Sequence, residues 1–122
     1  MNSTFEIKGR PASKKNSKQI FRVGNRTIIA PSTAYTRFEK YALEQLLPYR
    51  AKGTFTGPIR VVYYFYQLGR LSQDVDNAMA SINDVLQKSG IIDDDKNIKQ
   101  GSFFICSADK WFTEVVIESI RK

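Results

Sequence analysis

The chain has 122 residues, enough for one domain and too few for two of ordinary size. Hydrophobic residues make up 42% and charged residues 25%, which is typical of a globular protein. No apolar run approaches the roughly 18 residues that would cross a bilayer, and the N-terminus lacks a signal-peptide core. The single cysteine, Cys106, excludes an internal disulfide. We therefore expect one domain spanning residues 1–122, cytoplasmic, with no membrane partner.

The first third of the chain is predicted to hold three strands. Residues 4–8 alternate polar and apolar side chains, which predicts a first strand. Residues 11–18 are small and polar and predict a loop. Residues 19–23 and 26–30 flank Gly24-Asn25, a dipeptide that tolerates positive φ, so they predict a β-hairpin.

Two helices and three further strands are expected in the rest of the chain. A helix begins with Ser32 or Thr33 as N-cap and continues to Pro48. A strand rich in β-branched and aromatic residues covers residues 59–67. A second, clearly amphipathic helix follows from Val75 and ends at Gly90.

The last two strands are predicted at residues 97–106 and 111–120. The first of them contains the apolar run 103–106, and because Cys106 lies in this run we expect it to be buried core. Strands outnumber helices and do not alternate regularly with them. The expected fold class is therefore α+β, a mixed β-sheet with two main helices packed on it.

The formal net charge is +7, and the positive excess is concentrated near the N-terminus. Residues 8–26 contain seven basic side chains and no acidic one, and the other twelve basic residues are balanced by twelve acids. Such a patch is expected in a protein that contacts nucleic acid, although a solvated basic loop would give the same pattern. The seven are Lys8, Arg10, Lys14, Lys15, Lys18, Arg22 and Arg26.

The chain contains no histidine. This excludes nucleophiles activated by histidine, imidazole metal ligands and the most common general base. Hydrolytic chemistry would have to depend on carboxylates, lysines or metal ions.

Aspartates lie on both sides of the second predicted helix. Asp74 and Asp76 come at its start, and the run 93–95 follows its end. A helix of about 13 residues is roughly 20 Å long, so the two groups meet only if the chain after Gly90 folds back along it. Five extended residues can cover roughly 17 Å, which makes that path possible without requiring it.

The chemistry of these aspartates suits a divalent cation. In an extended segment, Asp74 and Asp76 would project from the same face and offer the hard oxygen ligands that magnesium prefers. A bound ion would polarise a phosphodiester and lower the pKa of an attacking water, and a second ion could stabilise the leaving oxygen. Two simpler interpretations stay open: one of the pair is a helix N-cap, and the run 93–95 is an exposed turn.

Taken together, these motifs resemble the RusA family of Holliday-junction resolvases, particularly its phage-borne members. The resemblance rests on Asp74-Val75-Asp76-Asn77, on the helix containing Asp84-Val85-Leu86, on Ser89-Gly90-Ile91-Ile92-Asp93-Asp94-Asp95, and on residues 9–17, GRPASKKNS. It covers nearly the whole chain. It implies a homodimeric, magnesium-dependent endonuclease, in which Mn²⁺ can substitute, that resolves four-way DNA junctions by paired symmetric nicks during recombination and repair.

The resemblance also assigns residues. It implies that Asp74, Asp76 and Asp95 are the catalytic, metal-binding carboxylates, with Asp94 as a reserve ligand and Asp93 outside the set. Many members carry a lysine four residues after the second aspartate, where this chain has Ala80. Lys88 lies about 12 Å further along the helix and is a poor substitute. The side chains that we expect to contact DNA are Arg10, Lys14, Lys15, Lys18 and Arg70, and the last of these or the lysine pair could supply the missing cation.

Three functions follow as hypotheses. The leading one is hydrolysis of phosphodiesters at a four-way or branched DNA junction. Because Ala80 replaces the usual lysine, a catalytically impaired protein that binds branched DNA is the alternative. A general nuclease acting on flaps or forks is the third.

Overall fold

The computed structural model describes residues 2–12, 18–31, 33–68 and 74–120. These ranges contain six strands, two α-helices and one 3₁₀ turn. Neither helix is both long and apolar enough to span a membrane. In chain order the elements are β1 Asn2–Lys8, β2 Lys18–Val23, β3 Arg26–Pro31, α1 Thr33–Arg50, β4 Ile59–Leu68, α2 Val75–Ser89, the 3₁₀ turn Asp95–Asn97, β5 Ile98–Ala108 and β6 Phe112–Ser119.

Four of the strands form one mixed sheet in the order β1-β6-β4-β5. β6 is antiparallel to both of its neighbours, whereas β4 and β5 are parallel. Parallel neighbours need a long crossover, and α2 supplies it. β2 and β3 form a separate antiparallel hairpin through the turn at Gly24. The expected α+β fold with a mixed sheet and two main helices is confirmed.

The core lies between the two helices and one face of the sheet. Alternate residues of the strands point towards the helices, as period-two side-chain geometry requires. Among the described residues, the buried hydrophobic side chains of the strands are Phe5, Ile7, Ile59, Val61, Tyr63, Phe65, Val115 and Ile117, and those facing them from the helices include Phe38, Ala42, Leu46, Ile82, Val85 and Leu86.

Helix α1 continues past Pro48, so the predicted end at that residue is wrong. The helix runs to Arg50 and contains Pro48 in its last turn. A proline there removes only the hydrogen bond to the carbonyl of Glu44, which lies on an exposed part of the helix. Water can therefore satisfy that carbonyl, and the helix does not need to stop.

The expectation that Cys106 is buried core is also wrong, and its neighbours in the apolar run are exposed. Phe103, Phe104 and Ile105 are 48%, 51% and 47% exposed, and Cys106 is only partly buried. The reason is position in the sheet, because β5 is an edge strand with a hydrogen-bonded neighbour, β4, on one side. Composition indicated a core strand, but strand order depends on long-range pairing that local sequence does not encode.

Candidate functional site

Asp74 and Asp76 lie at the start of α2, and both are exposed. Asp74 is the N-cap: its backbone is extended, and its carboxylate Oδ1 accepts a hydrogen bond of 3.2 Å from the Asn77 amide. The N-cap interpretation is therefore confirmed for Asp74. The extended geometry expected for the pair is wrong, because Asp76 already lies in the first helical turn.

The chain reverses direction directly after α2. Gly90 adopts φ +82°, the left-handed conformation that favours glycine, and ends the helix. The reversed segment is then fixed by short hydrogen bonds to Thr54 and Phe55. The Thr54 hydroxyl donates to the Gly90 carbonyl at 2.7 Å, and the Phe55 amide donates to the Ile91 carbonyl at 2.8 Å. The fold-back that the sequence left open does occur.

Asp93 and Asp94 are used to build the turn that follows. The Asp93 carboxylate accepts a hydrogen bond of 2.8 Å from the Asn97 side-chain amide. Asp94 caps the 3₁₀ turn by accepting from the Lys96 amide at 3.0 Å, and this bond lowers the pKa of the Asp94 carboxyl. Both side chains have a local structural role, as the turn interpretation predicted for this run.

Asp95 is exposed and lies beside the last turn of α2. Its amide donates to the Gln87 side-chain oxygen at 2.9 Å. Its carboxylate is also close enough to act on Tyr63, a fully buried residue of β4 whose hydroxyl donates to Asn83. Burial raises the pKa of Tyr63 to about 12, and the negative charge of Asp95 adds to the increase.

The three expected metal ligands do not gather within one chain. Gln87, which fixes the backbone of Asp95, lies eleven residues after Asp76, about 16 Å along the helix axis. Among the residues that the structure describes, no three or more acidic or cysteine side chains are grouped so that they could hold a metal ion. Asp74 and Asp76 offer the hard oxygen donors that fit magnesium, and within the described part of the chain they form a pair rather than a group of three.

Lys88 is not placed to supply the cation that the resemblance led us to expect near Ala80. Ala80 is exposed on α2, whereas the Lys88 ammonium is 2.7 Å from Glu39 and 3.3 Å from Asp84. The hydrogen bond to Glu39 is the main cause of the raised pKa of Lys88. The Glu39 ion pair joins α1 to α2, and the two carboxylates together neutralise the charge of Lys88.

The expected DNA-contacting residues are only partly described. Lys14, Lys15 and Arg70 lie outside the described residues, and Lys18 is the first residue of β2. Arg10 is exposed, and its guanidinium lies 4.6 Å from the centroid of the Trp111 ring.

Sequence reasoning missed a group of aromatic and basic side chains on the sheet face opposite the helices. The rings of Tyr66 and Phe112 stack with centroids 4.2 Å apart, and the Lys110 ammonium lies 5.6 Å from the Phe112 centroid. Lys110 therefore places a cation at one end of this face. The alternation of aromatic residues at positions 64, 66 and 112 was the available signal, because it puts rings on the face opposite the core.

No protein-family model matches the chain, and no curated protein sequence matches it significantly.

Proposed function

We propose that this protein is a magnesium-dependent endodeoxyribonuclease that resolves Holliday junctions by paired symmetric nicks. The observation that carries the proposal is the exposed pair Asp74 and Asp76 at the start of α2, in a motif followed by a chain reversal and a third exposed aspartate, Asp95. The basic segment 8–26 supports a DNA substrate, because an acidic site alone would repel phosphate.

Asp74, Asp76 and Asp95 would hold Mg²⁺, or Mn²⁺ in its place. When bound, the ion would polarise the scissile phosphodiester and lower the pKa of the attacking water. The chain's own contribution is orientation. The N-cap bond fixes the Asp74 carboxylate, and the amide groups at the start of a helix favour an anion such as a DNA phosphate.

Asp95 would act in the site of the other subunit of a homodimer. Within one chain it lies too far from Asp76 to bind the same ion, and the residue is exposed. A two-fold dimer also suits the substrate, since a four-way junction presents two equivalent strands for paired incision.

The experiment is cleavage of a labelled synthetic four-way junction with and without magnesium. Wild type should nick opposite strands symmetrically, and Asp76→Asn should abolish nicking, because the amide removes a charged ligand. Asp93→Asn is the matched control, since Asp93 is bonded within the turn, and this variant should still cut. Equal cleavage by wild type and Asp76→Asn would show that the carboxylate assignment is wrong.

A second candidate function is binding of branched DNA without cleavage. Its support is that Ala80 stands where the resemblance implies a lysine, together with the observation that Lys88 is held by Glu39 and Asp84. Such a protein would bind the junction equally well in chelator and would nick no strand with any divalent metal. Comparing linear, flap, fork and four-way substrates separates a junction resolvase from a general nuclease in the same experiment.

A further inference from the structure

The edge strand β5 exposes apolar side chains on both faces of the sheet. Phe103 and Ile105 align with Tyr63 and Phe65 of β4, so they lie on the face that carries the helices, yet each is about half exposed. Phe104 lies on the opposite face, where its ring stacks on Tyr64 with centroids 5.2 Å apart. The helices therefore cover β4 and leave β5 uncovered.

The opposite edge of the sheet is protected. The exposed residues of β1 are Asn2, Thr4, Glu6 and Lys8, all of them polar or charged. Charged side chains on an edge strand discourage pairing with another chain. The centre of β5 has no such residue; the nearest charges are Lys99, near its start, and Asp109, just past its end.

We propose that β5 pairs antiparallel with β5 of a second copy of this chain, about a two-fold axis through Phe104, to form a continuous eight-stranded sheet. The homodimer is part of the function proposed above, and this inference deepens that part by assigning its surface. A long, exposed, apolar edge offers unpaired backbone groups as well as side chains, and an identical edge satisfies both.

The sequence of β5 is complementary to itself in this register. With Phe104 opposite the partner's Phe104, Phe103 lies opposite the partner's Ile105. Lys99 then lies opposite the partner's Asp109, so the ends of the paired segment carry opposite charges. The Phe103–Ile105 and Lys99–Asp109 contacts each occur twice because of the symmetry, whereas the Phe104 pair lies on the axis and occurs once. The stacked pair Tyr64–Phe104 continues across the axis as a row of four rings.

Neighbouring registers lose these contacts. The neighbouring registers that keep every side chain on its own face of the sheet are those with the two-fold axis moved by one whole residue, to Phe103 or to Ile105. Centring on Phe103 places Ile105 opposite Gly101 and Lys99 opposite Ser107. Centring on Ile105 places Phe103 opposite Ser107. The axis at Phe104 is the one that matches apolar with apolar and lysine with aspartate.

Disulfide trapping tests the register directly, without DNA or metal. In a Cys106→Ser background, Phe104→Cys should form a covalent dimer under mild oxidation, because directly opposed residues have Cα atoms about 5 Å apart. Phe103→Cys in the same background should not. Wild-type Cys106 should not either, since it would lie roughly 14 Å along the strand from its own copy. Efficient trapping through Cys106 or Phe103→Cys, but not Phe104→Cys, overturns this register.

Sedimentation tests the surface. Phe104→Glu and Phe104→Lys should each weaken dimerisation at least tenfold, because like charges would meet at the axis, and a mixture of the two should form a heterodimer. Thr4→Glu on the β1 edge is the matched control and should dimerise as wild type does. Circular dichroism checks that each variant is folded. A second set of variants exchanges the charges at the ends of the paired segment: Lys99→Asp and Asp109→Lys should each weaken the dimer, and the double variant should restore it.

The outcomes separate this inference from the proposed function. A wild-type monomer at high concentration, or a dimer unaffected by Phe104→Glu, overturns the β5 surface whatever the cleavage assay shows. A dimer trapped through Phe104→Cys that cuts no junction supports the surface and contradicts the nuclease.

Discussion

At the scale of the residue, Tyr63 links stability to pH. Its folded pKa of about 12 exceeds the ordinary value of 10.0, so stability is complete below pH 10 and falls as pH rises towards 12, where the unfolded chain ionises first. At pH 11.5 we expect wild type to have lost about 2 kcal/mol more of its unfolding free energy than Tyr63→Phe, relative to pH 8. Denaturant titrations at both pH values measure this. Tyr41→Phe, which alters an exposed ring, should follow wild type, and equal losses in all three proteins would contradict the prediction.

At the scale of the element, the start of α2 combines two roles that substitution can separate. Asp74→Ala should cost about 1 kcal/mol, because the Asn77 amide loses its acceptor. Asp74→Asn keeps a good N-cap and should be nearly as stable as wild type, yet it loses the charge that a metal ligand needs. We therefore expect both variants to lose junction cleavage and only the first to lose stability in thermal unfolding. Cleavage retained in Asp74→Asn would assign Asp74 to capping alone.

At the scale of the whole molecule, the separation of Asp95 from Asp76 predicts complementation between inactive subunits. Asp76→Asn and Asp95→Asn should each abolish nicking in homodimers. In a mixed dimer, the intact Asp76 of one subunit meets the intact Asp95 of the other, so one of the two sites is whole. Mixing the variants should restore single nicks without paired resolution, as measured on a junction labelled on two opposite strands. If mixtures stay inactive while heterodimers form, the three aspartates belong to one chain.

Local features of this fold could be predicted from sequence, whereas contacts between distant elements could not. The helix ending at Gly90 and the hairpin at Gly24 follow from periodicity and turn chemistry, and both are present. The exposure of Phe103 depends on which strand ends the sheet, a property of long-range pairing. The position of Asp95 depends on bonds from Thr54 and Phe55, some 40 residues away, which no spacing rule indicates.

The parallel alignment of β4 and β5 has a geometric consequence for an antiparallel β5 pair. Within one chain, both strands finish at the end of the sheet where α2 begins, and Asp95 lies towards the opposite end. In an antiparallel pair, the start of one β5 lies beside the end of the other. Each Asp95 would therefore lie near the start of its neighbour's α2, on the same side of the sheet. Pairing of the two uncovered β5 edges would thus complete two catalytic centres at once, whereas a monomer would hold only some of the metal ligands of each centre.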